Sequence, residues 1–126
     1  MSQSDGVITM GCCQSNDVLS FDEFQTNVLS TCIYPKEIGL MYTTLGLAGE
    51  AGEIANKVKK VLRDDKGVLS DDKRLAIIDE LGDVLFYVGA LASELGVSLE
   101  DVAKSNNLKL ASRKARGTLQ GSGDKR

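Results

Sequence analysis

Four carboxylates at helical spacing are the residues of this chain best suited to chemistry. Gly46-Leu-Ala-Gly-Glu50-Ala-Gly-Glu53-Ile-Ala-Asn56-Lys57 carries two of them, and Asp79-Glu80-Leu-Gly-Asp83 the other two. Residues three apart on a helix share a face, with Cβ atoms roughly 5–6 Å apart, so Glu50 pairs with Glu53 and Glu80 with Asp83. Their neighbours Leu47, Ala48, Ala51, Ile54, Ile77, Ile78, Leu81 and Val84 are small or apolar, which puts the acids on the border of a core stripe. Four carboxylates converging there repel one another unless they are protonated or bind a divalent cation. Hard oxygen donors without Cys or His select Mg²⁺, or Mn²⁺ as a substitute, over zinc. Magnesium on a few carboxylates completes its shell with waters and substrate phosphates. The chain has no histidine, which argues against the Glu-x-x-His motifs of di-iron bundles. A hydrolase of this composition relies on a metal-activated water as nucleophile, with metal and Lys or Arg stabilising the phosphoryl charge. The same spacing also suits a helical interaction module whose acidic face is only structural, and spacing by itself does not separate the two.

The elements that must position these acids are helices. One proline, three tyrosines and three phenylalanines without tryptophan, together with runs of Ala, Leu, Glu and Lys, favour an all-α class. Ser20-Phe-Asp-Glu23 reads as a capping box, so a first helix runs from Phe21 to Cys32 or Ile33 before Pro35. Its Gln25 and Asn27 flank the apolar face, and Gln25 is a candidate for reading a nucleobase edge. A second helix is expected from Leu40 to Arg63, with Met41, Leu45, Ala48, Ala51, Ala55, Val58 and Leu62 along its core side. Gly46, Gly49 and Gly52 weaken that helix by up to about 1 kcal/mol each, a cost that close approach of a neighbouring helix or of phosphates would explain.

After an Asp64–Gly67 turn, Ser70 caps a third helix to Leu95, and Ser98 caps a fourth from Leu99 to Arg116, ended by Gly117. The segment Val84–Ala92 is apolar on all sides. Too few helices remain to wrap it, so Phe86, Tyr87, Val88 and Leu91 predict a partner subunit, with Gly82 and Gly89 permitting close contact. The domain organisation is a flexible leader at 1–19, one helical catalytic domain at 20–117 and a flexible tail at 118–126.

The net charge of −3 conceals an asymmetry. Lys104 to Arg126 holds seven basic residues against Asp124 alone, while residues 1–103 hold eight basic and seventeen acidic. Such a tail is either a solvated helix end or a counter-charge for a polyanionic ligand. An acidic chain with no aromatic residues among its basic ones is not built for nucleic acid polymers. No apolar run approaches the roughly 18 residues of a membrane span, and the first residues lack a signal peptide's pattern, so a cytoplasmic protein is expected. Met10-Gly-Cys-Cys-Gln-Ser15 would match a myristoylation signal only if translation began at Met10. Cys12, Cys13 and Cys32 lack CxxC spacing and read as reduced bystanders.

Taken together, Gly46–Glu53 with Lys57, then Asp79-Glu-Leu-Gly-Asp83-Val-Leu-Phe-Tyr-Val, resemble MazG-type nucleotide pyrophosphohydrolases of the all-α NTP pyrophosphatase superfamily, and the similarity extends through Asn106–Asp124. The resemblance implies a four-to-five-helix bundle completed by oligomerisation as a homodimer or dimer of dimers. It implies hydrolysis of a nucleoside triphosphate to the monophosphate and pyrophosphate, with Mg²⁺ on the catalytic acids Glu50, Glu53, Glu80 and Asp83. It also implies substrate contacts from Lys57, Asn106, Lys109, Arg113 and Arg116. For Lys57 a surface ion pair with Glu53 is the competing reading. A phosphoribosyl-ATP or dUTP-type pyrophosphohydrolase of the same superfamily is the alternative enzyme.

Overall fold

A computed structural model describes residues 18–126; the leader, Cys12 and Cys13 and the Met10 motif fall at least in large part on residues 1–17 and lie outside it. The class is all-α, as expected: α1 (Phe21–Thr31), a 3₁₀ turn (Lys36–Ile38), α2 (Gly39–Asp64), α3 (Asp71–Glu94) and α4 (Leu99–Ala115), with no strand among the described residues.

The expected caps start three of the four helices. Ser20 Oγ accepts from the Glu23 amide at 3.1 Å while the Glu23 carboxylate accepts from the Ser20 amide at 3.0 Å, closing the capping box. Ser70 and Ser98 accept from the amides of Lys73 and Asp101 at 3.4 and 3.0 Å. α2 has no side-chain cap and grows out of the 3₁₀ turn that follows Pro35. At the other ends, Gly96 and Gly117 take φ of +70° and +68°. That left-handed conformation lets the Val97 amide reach Ala92 O at 3.0 Å and the Thr118 amide reach Arg113 O at 2.8 Å, satisfying carbonyls the helices would leave open.

The α2–α3 hairpin is the main packing unit. It is antiparallel, since Gly46 faces Tyr87, Lys57 meets Glu80, and Lys73 pairs with Asp65 beside the turn. α1 lies across α3, where Phe24 and Val28 cover Gly89, and α4 packs on α1 and α3 but not on α2. The glycine expected to admit a partner at position 89 thus serves packing within the chain, whereas Gly49, Gly52 and Gly82 face open space.

Gln25 is a correction to the sequence reading. Its side chain is buried, and its amide donates to Ser93 Oγ at 2.8 Å and Val97 O at 3.0 Å while its carbonyl accepts from the Leu99 amide at 2.8 Å. It ties α1 to the α3–α4 connection and satisfies one of the first amides of α4, so it is not placed to read a base. Arg113, expected at the substrate, is a second correction, because its side chain is buried within its own chain. Residues 118–126 fold back, with Arg113 donating to Asp124 O at 2.8 Å and Arg116 to Arg126 O at 3.1 Å.

The face of α2 turned toward α3 is the third correction. The residues it covers are Gly39, Thr43, Gly46, Leu47, Glu50, Ile54, Lys57 and Val61, at the three-and-four spacing of one side. Met41, Leu45, Ala48, Ala51, Ala55, Val58 and Leu62, expected to line the core, are exposed instead, Leu45 at 73%. Both faces obey helical periodicity, and a small-residue face with a half-buried acid is invisible to an apolar template. On α3, Phe86, Tyr87, Val88 and Leu91 are each partly covered by their own chain, while Leu81 and Leu85 are exposed.

Candidate metal centre

Antiparallel pairing of α2 with α3 brings their acids together. One carboxylate oxygen each from Glu50, Glu80 and Asp83 lies within 4.8 Å of the other two. Glu50 and Glu80 are half-buried in the groove and Asp83 is exposed at its rim. Glu53 stands on the exposed side and outside this triad, although its charge still bears on Glu50. Around Mg²⁺ adjacent oxygens are about 3 Å apart and opposed ones about 4.2 Å, so the three carboxylates would have to draw together by up to about 2 Å to share one ion; the all-oxygen donor set suits that cation.

The electrostatics carry the mark of crowding. Partial burial, then the charges of Asp83 and Glu80, a shared hydrogen bond with Glu80 and the charge of Glu53 push the Glu50 carboxyl above its ordinary value. A carboxyl raised in this way makes the folded protein bind protons more tightly than the unfolded chain. Stability is therefore full below the unfolded value and falls as pH rises through the folded one. Asp64, lowered by its hydrogen bond to Arg63, works in the opposite sense only at more acidic pH. In EDTA, the protein is expected to melt at a lower temperature at pH 7.5 than at pH 5. Saturating Mg²⁺ or Mn²⁺ should raise the pH 7.5 value by roughly 5–10 °C and the pH 5 value much less. Melting curves indifferent to divalent cation at pH 7.5 would mean that the triad holds no ion.

The groove has a graded chemistry on either side of the acids. Toward the 3₁₀ turn, Tyr87, one helical turn past Asp83, lays its ring over Gly46, one turn before Glu50; a Cβ at Gly46 would overlap that ring. Tyr87 continues to Tyr42 at 6.4 Å between centroids and Tyr42 to Tyr34 at 4.9 Å. Burial, then Tyr42, then the charges of Glu50 and Asp83 raise the Tyr87 phenol. The Tyr34 hydroxyl donates to Glu94 at 2.8 Å, whose carboxylate covers Gly39. Toward the α2–α3 turn, Lys57 Nζ lies 3.1 Å from Glu80 Oε1, so its ion pair is across the groove and not with Glu53.

Sequence reasoning missed Tyr87 and Tyr42 as neighbours of the acids, although the four-residue step from Asp83 to Tyr87 was there to be read; at Gly46 the expected close approach of a neighbouring helix is made by the Tyr87 ring. The expected α4 residues are elsewhere within one chain. Asn106 and Lys109 line an open groove of about 560 Å³ with Val97, Asp101, Val102 and Ser105. Arg113 is buried beneath the C-terminal segment, and Arg116 is exposed beside it.

No helix among the described residues is long and apolar enough to cross a membrane. Comparison with known proteins agrees with the motif reading. The chain is 51% identical over 111 residues to the Gene 37 protein of Mycobacterium phage L5, covering 83% of this chain and 97% of that one. It is 38% identical over 72 residues to the uncharacterized protein YvdC of Bacillus subtilis (strain 168), covering 53% of this chain and 68% of that one. No solved structure matches. Residues 40–117, which hold all four acids, match the MazG nucleotide pyrophosphohydrolase domain, and the chain belongs to that family.

Proposed function

We propose that the protein is a Mg²⁺-dependent pyrophosphohydrolase that converts a nucleoside triphosphate, ribo or deoxy, into the monophosphate and pyrophosphate. The observation that carries this reading is the convergence of Glu50, Glu80 and Asp83 from two helices inside the segment that matches the family. Glu50, Glu80 and Asp83 would hold the cation, and Glu53 would support them from the outer side of α2. When bound there, Mg²⁺ supplies charge neutralisation of the phosphate oxygens and lowers the pKa of a water that adds at phosphorus. Water gives its oxygen to one phosphate and the bond between the α and β phosphates breaks. The proton passes to a carboxylate oxygen of this acidic cluster that is not engaged with the cation, and Lys57 stabilises the charge that develops on the leaving side. Partial burial of Glu50 and Glu80 keeps the carboxylates fixed relative to the groove, so little reorganisation accompanies the step.

The exposed stripe Met41, Leu45, Ala48, Ala51, Ala55 on α2 supports assembly with a second copy of this chain, as a homodimer or dimer of dimers. Because α4 does not pack on α2 of its own chain, Asn106, Lys109 and Arg116 serve the nucleotide only through such assembly, with α4 of one copy approaching the groove of another.

Pyrophosphate release across a panel of NTPs, dNTPs and phosphoribosyl-ATP, with and without Mg²⁺, tests the reading. Release from at least one nucleotide, abolished by EDTA, is expected. A preference for dUTP or phosphoribosyl-ATP would assign the alternative enzyme of the superfamily. Absence of release from every nucleotide would leave a helical interaction module with a structural acidic face.

A further inference from the structure

On the far side of the acids from the tyrosines, a cavity of about 240 Å³ opens between the end of α2 and the start of α3, lined by Lys57, Lys60, Asp64, Lys73 and Ala76. Three lysines against one acid line it, and two of those lysines already have acidic partners, Glu80 for Lys57 and Asp65 for Lys73. Asp64 is gripped by Arg63 through two hydrogen bonds of 2.7 and 2.8 Å, so its carboxylate is already neutralised. Lys73 pairs with Asp65, and Lys60 has no ion-pair partner among the described residues. Ala76 is the one small apolar residue of the lining. Lys57 links this cavity to the acids through its 3.1 Å contact with Glu80. A cation on Glu80 would take over that partnership and leave the Lys57 ammonium for an anion.

We propose that this cavity holds a diphosphate group, the terminal two phosphates of the nucleotide and then the pyrophosphate product; the assignment to a substrate rests on the pyrophosphohydrolase reading. Geometry sets the direction. Cα–Cβ bonds on a helix tilt toward its N-terminus, so Lys57 and Lys60 lean back along α2 toward Glu50 and Glu53, while Lys73 closes the end near the turn. Lys60 lies seven residues beyond Glu53, about 10.5 Å along the axis, and its flexible four-carbon stem spans much of that interval. The chain of phosphates then runs from the carboxylate triad toward the α2–α3 turn, and the nucleoside end points toward Tyr87. Lysines suit this role because a mobile point charge can follow a diphosphate from substrate to departing product without a fixed fork geometry.

Calorimetric titration of the full chain with inorganic pyrophosphate in Mg²⁺ reads the cavity directly, without turnover. Relative to the parent, Lys60→Gln and Lys73→Gln should each weaken pyrophosphate binding about 5- to 10-fold, and the double variant about 30-fold or more. Affinity for a nucleoside monophosphate should change less than about twofold, because that ligand does not extend past the triad. Circular dichroism and melting temperature of the same samples establish that the fold is intact, and Lys60→Arg should restore most of the pyrophosphate affinity. Unchanged pyrophosphate affinity in the folded double variant, equal losses for the monophosphate, or no pyrophosphate binding by the parent would each overturn the proposal. The first two outcomes leave the hydrolytic reading standing if the parent releases pyrophosphate from nucleotides. Conversely, an inactive parent that still loses pyrophosphate affinity in the two variants would keep the diphosphate site and remove the reaction.

Discussion

Asp83→Asn is expected to lower pyrophosphate release by a factor of about a thousand or more while making the metal-free protein more stable at neutral pH. The two effects share one cause. Asp83 and Glu80 lie with Glu50 in a triad whose oxygens are within 4.8 Å of each other, and Asp83 heads the charges that push the Glu50 carboxyl up. An amide has nearly the shape of the carboxylate but brings no charge to the cation, so the phosphate oxygens lose much of their stabilisation in the transition state. Without a cation, the same substitution relieves repulsion in the groove, the usual trade between stability and function at a site of gathered like charge. Glu50→Gln should behave alike. Glu53→Gln, outside the triad, should cost about 10- to 100-fold, as expected for a group that acts on a ligand from behind. Steady-state pyrophosphate release and thermal melting in EDTA, measured on the same preparations, check all three. Near-parental activity in Asp83→Asn would remove Asp83 from the cation site, and a lower melting temperature in EDTA would refute the repulsion argument.

The second large effect concerns assembly. Met41, Leu45, Ala48, Ala51 and Ala55 form an exposed apolar stripe along α2, and Gly49, Gly52 and Gly82 meet nothing within 4 Å. Among the described residues the buried hydrophobic ones are Val28, Val61, Ala90, Ala92 and Leu99, a small core for four helices. Covering a leucine-sized side chain contributes about 1.5–3 kcal/mol, so a second copy laid along this stripe would add stability to a chain with so small a core. The parent should scatter light as a dimer or tetramer at low micromolar concentration, with a melting temperature that rises with protein concentration.

Leu45→Glu and Ala48→Glu keep good helix formers in α2 but place charge in the proposed interface. Each should weaken assembly by about a hundredfold or more, and the dissociated chain should melt at lower temperature. A parent that stays monomeric at high micromolar concentration, with a concentration-independent melting temperature, would show that the stripe has no partner copy.

How much of this was legible beforehand differs from element to element. Serine caps, glycine stops and carboxylate spacing are local features, each decided by residues within one or two turns. For that reason the four helices, most of their ends and the three-residue spacing of Glu50 from Glu53 and of Glu80 from Asp83 could be written down from the chain alone. A face of a helix is also local, but what it faces is not. Along α2 two stripes run at the same period, and the apolar one, Met41 to Leu62, looked like the core. Packing chose the other, in which Thr43, Gly46, Glu50, Ile54, Lys57 and Val61 lie toward α3. Periodicity cannot distinguish a surface buried within a chain from one reserved for another, because both exclude water from the same kinds of side chain.

Long polar side chains depend still more on tertiary structure, since their partners are many residues away or across a groove. Lys57 had Glu53 within reach on its own helix and pairs with Glu80 on the next. Gln25 looked free on α1 and instead holds Ser93, Val97 and Leu99 at the far end of the bundle. Arg113 looked like a ligand for phosphate and is buried against the backbone of Asp124. The sequence by itself determined which helices form and that two of them carry paired acids. Only the tertiary structure decided that three of those acids converge, that lysines stand on one side of them and tyrosines on the other, and that the apolar stripe looks outward. Backbone propensity and capping act over a few residues, whereas convergence of side chains depends on how whole helices are packed.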